Sequence, residues 1–102
     1  MHVTIRKYRK VEGDKKQLME TTNRGFVPVI AKIDGFIDFY GFFADDGSLM
    51  SVSVFRDAKG AEASVRAAAQ WVQQNLAKQL PEKPEVISGE VFAYRHGERK
   101  AA

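Results

Sequence analysis

An α+β domain of the ferredoxin-like βαββαβ type, a four-stranded antiparallel sheet with two helices on one face, is predicted by three features of this sequence. Segments of period-two and helical periodicity follow one another in the order strand, helix, strand, strand, helix, strand. The Asp45-Asp46-Gly47-Ser48 run has the turn chemistry that makes the two central strands a hairpin. Between Gly35 and Phe43, large apolar residues occupy both strand faces, so that strand needs cover on two sides rather than one.

The first strand is expected from His2 to Arg9, with Val3 and Ile5 alternating against Thr4, Arg6 and Tyr8. Gly13-Asp14 then opens a helix whose stripe is Leu18, Met19, Thr22, Gly25, Phe26, Val29, Ile30 and Ile33. Pro28 lacks the N–H that would reach the Arg24 carbonyl and disfavours helical geometry at Val27, so this helix is expected to kink or divide. Asp34-Gly35 turns the chain into the aromatic strand, and the hairpin leads to a third strand at Leu49 to Phe55. Asp57 is the expected cap of a second helix running to about Leu80, with Ala61, Val65, Ala68, Ala69, Val72, Leu76 and Leu80 on its core stripe. Pro81 to Pro84 ends it. Glu85 to His96 reads as the last strand, Ile87, Val91 and Ala93 opposing Glu90, Phe92, Tyr94 and His96.

Sorting the strands by parity gives two faces. The aliphatic series Val3, Ile5, Ile37, Phe39, Met50, Val52, Val54, Ile87, Val91 and Ala93 is expected to receive the helices. The other series holds Thr4, Arg6, Tyr8, Phe36, Asp38, Tyr40, Phe42, Ser51, Ser53, Phe55, Glu90, Phe92, Tyr94 and His96. That second face is too aromatic to be left in water, so a homodimer packed through the non-helical sheet face is expected, enclosing space for a small organic molecule.

Composition narrows the function. The chain has 102 residues, read as one domain spanning 1–102, and 44% hydrophobic with 28% charged residues is a globular balance. No apolar run approaches the roughly 20 residues that cross a bilayer, and the start turns polar too early for a signal peptide, so no membrane partner and a cytoplasmic location are expected. With no cysteine, disulfides and thiolate chemistry are excluded, and His2 and His96 near opposite ends make no metal cluster. The net charge of +3 resides at the two ends. The third strand lacks the basic, aromatic octamer of RNA-recognition domains, while Asp38 and Glu90 would repel phosphates, so nucleic acid is not an expected partner.

The Val3-Thr4-Ile5-Arg6-Lys7-Tyr8 strand, the helix leading to Asp34-Gly35-Phe36, and the serine-containing strand before an alanine-rich helix resemble the dimeric α/β-barrel superfamily, in its antibiotic-biosynthesis-monooxygenase-like branch. The resemblance spans nearly the whole chain. It implies a homodimer and an activity that oxidises small aromatic or polyketide-like compounds with molecular oxygen, without metal, flavin or other cofactor. A non-catalytic ligand-binding or assembly protein of the same fold is the alternative. Haem-degrading relatives use an asparagine, a tryptophan and a histidine at set places; here the first strand has no asparagine and no helix carries histidine.

For such chemistry a base, a hydrogen-bond donor and an aromatic wall would suffice. Asp38 is the candidate base, with His96 a second, and Tyr40 or Arg6 would stabilise the substrate anion. Tyr8, Phe36, Phe42, Phe92 and Tyr94 would hold the ring, and Trp71, on the shoulder of the second helix, would line a pocket or cover the core edge. The plainer alternative pairs Arg6 with Glu90 or Asp38 in a structural network.

Overall fold

The computed structural model describes residues 1–97. Its elements are β1 (His2–Tyr8), α1 (Lys15–Thr21), a π-helical segment (Thr22–Phe26), α2 (Val27–Ala31), β2 (Phe36–Phe43), β3 (Leu49–Phe55), α3 (Ala58–Asn75) and β4 (Glu85–Glu90). The sheet is antiparallel in the order β2-β3-β1-β4, with β1 and β3 at its centre. With the helices covering one side, this is the expected ferredoxin-like arrangement.

Local chemistry places the element ends. The Asp14 carboxylate accepts from the Lys16 N–H at 2.9 Å and caps α1, and Asp57 accepts from the Gly60 N–H at 3.1 Å to cap α3. In the hairpin, Gly47 adopts φ +88°, and Asp46 accepts from both the backbone N–H and the hydroxyl of Ser48, at 2.9 and 2.6 Å. The break near Pro28 takes a definite form. The Val27 N–H reaches back to the Thr22 carbonyl, one residue further than in an α-helix, so the chain widens into a π turn and Pro28 enters α2 where no N–H is required. The second long helix is shorter than its sequence stripe: α3 ends at Asn75, and a turn carries Leu76 and Leu80 back onto the core.

Two expectations about the sheet are overturned. Thr4, Arg6, Tyr8, Ser51, Ser53 and Phe55 lie beneath the helices and are buried, while Val3, Ile5, Met50, Val52, Val54 and Ile87 face the other way. The expected faces of β1 and β3 are therefore exchanged. In β2 a bulge between Phe36 and Asp38 sets Ile37 aside, so that Phe36 and Phe39 both pair with helix-facing residues of β3 while Asp38, Tyr40 and Phe42 pair with outward ones. The strict alternation read from the sequence could not hold across that extra residue. Secondly, β4 stops at Glu90; Val91 still donates to the Met1 carbonyl at 2.9 Å, but Phe92, Tyr94 and His96 lie beyond the strand and are exposed, Phe92 completely. The pairing of β4 with β1 ends at His2 opposite Glu90, and among the described residues no other strand stands beside that segment.

Two apolar clusters fill the helical layer. Phe26, Ile30, Phe55, Ala61 and Ala68 form one; Tyr8, Leu18, Leu76 and Leu80 form the other, and Trp71 packs against both. Contact between α3 and the sheet is close at Gly60, where a Cβ would stand 2.7 Å from Phe55 Cδ1 and 3.0 Å from the Asp34 carbonyl oxygen. Alanine ordinarily stabilises a helix relative to glycine, but here overlap with the buried Phe55 ring and with rigid backbone outweighs propensity. Gly60→Ala is accordingly expected to destabilise the fold by about 1–3 kcal/mol, read as a lower urea midpoint with an unchanged slope.

Candidate functional site

Arg6, at the middle of the central strand β1, is 2% exposed. Its Nε donates to the Ser51 hydroxyl at 3.1 Å and its Nη2 to the Ser53 hydroxyl at 2.6 Å, both on the neighbouring strand β3. The register explains the match: Arg6 stands opposite Ser51 and Thr4 opposite Ser53, so an arginine leaning along β1 meets two hydroxyls spaced by one strand repeat. Its Nη1, itself buried, has no hydrogen-bond partner among the described residues. Among the described residues no carboxylate forms an ion pair with it, which replaces the expected network with Glu90 or Asp38. Glu90 lies at the far end of β4, opposite His2, and Asp38 on the other side of the sheet.

Burial holds the Arg6 guanidinium below its ordinary pKa, with the neighbouring Tyr8 acting the other way; it remains a cation, as arginine does in proteins. Burial pushes the Tyr8 phenol up, and the Arg6 charge opposes that shift. Tyr8 is thus a neutral hydroxyl beside a buried positive charge.

These two residues lie on the floor of a cavity of about 520 Å³ between α3, the turn after it and the β1–β4 side of the sheet. Its walls include Val65, Ala69, Val72, Leu80, Pro84 and Val86, with Gln73 and the exposed Lys83 beside them, and its one carboxylate belongs to the exposed Glu82. A second cavity, of about 450 Å³, opens at the other sheet edge, between the first helical pair and β2. Its lining includes Phe36, Asp38 and Phe42 from β2 and Leu18, Thr22 and Asn23 from the helical side.

The site residues expected from the sequence are therefore separated by the structure. Arg6 and Tyr8 share the cavity beneath α3. Phe36, Asp38 and Phe42 line the cavity at the β2 edge, Tyr40 projects from the open sheet face at 58% exposure, and Phe92, Tyr94 and His96 reach neither cavity. Trp71 lines neither: its indole lies 5.3 Å from the Phe26 ring, against Gly25, where an added Cβ would come within 2.8 Å of it. Ser51 and Ser53, unassigned in the sequence reading, are the side chains that hold Arg6. Their signal was present, since two serines two apart on a strand beside an arginine of matching parity are potential acceptors. Among the described residues no group of three or more His, Cys, Asp or Glu side chains is placed to hold a metal ion, and no helix is long and apolar enough to cross a membrane.

No family model matches the chain, and no curated protein sequence matches it. Solved structures do. A Streptomyces coelicolor monooxygenase in complex with nanaomycin D aligns with a TM-score of 0.68 at 14% identity, over 95% of this chain and 92% of that one. SnoaB, a cofactor-independent oxygenase from Streptomyces nogalater, aligns with a TM-score of 0.59 at 18% identity, over 93% and 94%. A variant of MhuD with two manganese protoporphyrin IX molecules per active site aligns with a TM-score of 0.71 at 15% identity, over 95% and 100%. The chain has the fold of the antibiotic-biosynthesis-monooxygenase proteins, as its sequence resemblance implied.

Because Ser53 accepts the shorter of the two Arg6 bonds in a fully buried setting, its removal leaves a second guanidinium nitrogen without an acceptor. Ser53→Ala is expected to cost about 1–3 kcal/mol in urea denaturation. Tyr40→Ala, on the exposed face, is expected to stay within about 0.5 kcal/mol when measured on dilute protein.

Proposed function

We propose that this protein binds a small aromatic or polyketide-like molecule in the cavity beneath α3 and oxidises it with molecular oxygen, without a cofactor. The observation that carries this reading is the cavity itself: largely apolar walls bring together the buried Arg6 and Tyr8 on the sheet side, with the exposed Glu82 and Lys83 on the turn after α3. The fold shared with oxygenases supports it. In such a reaction the substrate surrenders a proton and its anion reduces oxygen. A ring CH₂ becomes C=O, one oxygen atom enters the product, and the other leaves as water with the two substrate hydrogens. Arg6 would favour the anionic form, Tyr8 would donate a hydrogen bond, and the walls would keep water from the intermediate. Among the described residues no histidine or cysteine lines either cavity, and this reading uses no haem.

The same cavity supports a second reading, non-catalytic ligand binding. Its one carboxylate, Glu82, is exposed, and Asp38 lies across the sheet, so neither is a buried base beside Arg6.

A homodimer through the non-helical sheet face belongs to the same proposal, now with different residues. Val3, Ile5, Met50, Val52 and Val54 would form its centre, with Tyr40, Phe42 and Ile87, at 58, 47 and 59% exposure, at its margins. Such a face fits the cover that an apolar sheet surface requires. A cytoplasmic location is proposed with it.

Oxygen uptake is to be followed with a panel of phenols, quinols and anthrones. The wild type is expected to turn over at least one of them, and Val72→Trp, which fills the cavity, to lose about tenfold or more with its circular dichroism unchanged. Retention of a ligand in native mass spectrometry without oxygen uptake would instead favour the non-catalytic reading. Light scattering is expected to give a dimer at micromolar concentration and a shift toward monomer for Val52→Lys; a monomeric wild type would remove the dimer from the proposal.

A further inference from the structure

Residues 91–97 follow β4 and lie in no helix or strand, yet they carry two aromatic side chains that their own chain leaves uncovered. Phe92 is completely exposed and Tyr94 is 59% exposed; with Ile87 on the preceding strand, also 59% exposed, they extend the apolar surface past the sheet rim. At the opposite edge of the sheet, β2 has no neighbour on its outer side, so a row of backbone N–H and C=O groups is unpaired there. The strand contains neither lysine nor proline, the residues that commonly blunt an edge, and its one charge is Asp38. The bulge between Phe36 and Asp38 displays Ile37, 39% exposed, at the cavity that opens along β2. Register sets these two features at one end of the sheet: Glu90 stands opposite His2, His2 opposite Phe55, and Phe55 opposite Phe36. The chain therefore leaves β4 at the level where β2 begins.

We propose, resting on the homodimer reading above, that residues 91–97 of each subunit cross to the partner and lie along the start of its β2, with Phe92 seated against the partner's Ile37 at the mouth of the β2-edge cavity. Two copies that meet through the aliphatic face about a two-fold axis running along the strands bring each β4 against the partner's β2. The alternating strand directions make that pair antiparallel, and rotation about such an axis keeps the levels matched. Charge favours the same arrangement. Arg95 and His96 are exposed on the crossing segment, Asp34 and Asp38 flank the start of β2, and Asp38 forms no ion pair among the described residues. An axis across the strands would instead set Phe92 against the polar Glu82-Lys83-Pro84-Glu85 turn, and Asp38 toward the aspartates at the other end of β2, Asp45 and Asp46. The β2-edge cavity is thus completed by two chains, its open side walled by aromatic side chains that the subunit owning the cavity does not supply. Phe36 and Phe92, held at opposite sheet edges within one chain, come together across the interface.

The absence of native cysteine makes site-directed crosslinking clean. With a short bismaleimide, the double variant Ile37→Cys/Phe92→Cys is expected to run as a covalent dimer on a denaturing gel. The two positions stand at opposite edges of one sheet, so a bridge between them joins two chains. Each single variant, and Lys83→Cys/Phe92→Cys, should run as uncrosslinked chains. Sedimentation equilibrium is expected to show Phe92→Ser raising the dimer dissociation constant about tenfold or more, with circular dichroism unchanged because the side chain is uncovered in its own subunit. A dimeric wild type in which the Ile37/Phe92 pair does not crosslink, or in which Phe92→Ser leaves the dissociation constant unchanged, overturns the crossing segment and leaves the sheet-face dimer standing. Covalent dimers from Phe92→Cys alone or from the Lys83/Phe92 pair overturn it too, since they place the segment against a different part of the partner. A monomeric wild type overturns both this proposal and the dimer beneath it.

Discussion

The hydrogen bonds from Arg6 to Ser51 and Ser53 are the constraint from which both faces of the sheet follow. A guanidinium at the middle of the central strand needs acceptors within reach, and the nearest positions are those directly opposite and diagonal on β3. Once these hydroxyls turn toward the helices with Arg6, period-two alternation sends Val52 and Val54 to the other side together with Ile5 and Val3. The polar series is thereby the covered one and the aliphatic series the open one. An unpaired cation under α3 and an unpartnered aliphatic surface on the reverse are two consequences of one register.

That inversion marks where sequence reasoning reached its limit. Element order, the Asp45–Ser48 hairpin, the Asp57 cap and the interruption at Pro28 were legible because each depends on local chemistry: turn geometry, an acceptor at a helix start, a missing N–H. Which face of an alternating strand meets the helices is not local. Val3 and Ile5 satisfy a subunit interface as well as a core, and parity alone does not distinguish them. The assignment by apolarity failed because Arg6, Ser51 and Ser53 satisfy one another and therefore tolerate burial. A cue did exist: Tyr8 and Phe55, large residues of core size, share the parity of that polar series. In β2 the bulge at Ile37 could not be read at all, since one extra residue changes neither composition nor period on either side of it. The candidate site was legible in part: Arg6 and Tyr8 were named, but grouped with Asp38, Tyr40 and Phe92, which the register, the bulge and the end of β4 carry elsewhere.

The helical layer is closed in its middle and open at its two margins. Trp71 packs on Phe26 and Gly25 and touches both apolar clusters, so α3 is held against the divided first helix over the centre of the sheet. The π turn contributes by widening the helix where the glycine admits the indole. Among the described residues, two cavities open at the margins, along β2 on one side and along β4 on the other.

The two openings are similar in volume and unlike in electrostatics, and the difference follows from the strand that floors each. At the β2 edge the acid, Asp38, is only partly buried, so solvent can screen its charge and a ligand gains little from pairing with it. Beneath α3 the charge belongs to the central strand, shielded by β3 on one side and by the helix above. A weakly screened cation attracts an oxyanion more strongly than an exposed one, and stabilising an anion is what a protein must do if the substrate itself is to reduce oxygen. The position of Arg6 in the centre of the sheet, rather than its charge alone, is what makes the cavity beneath α3 the better candidate for chemistry.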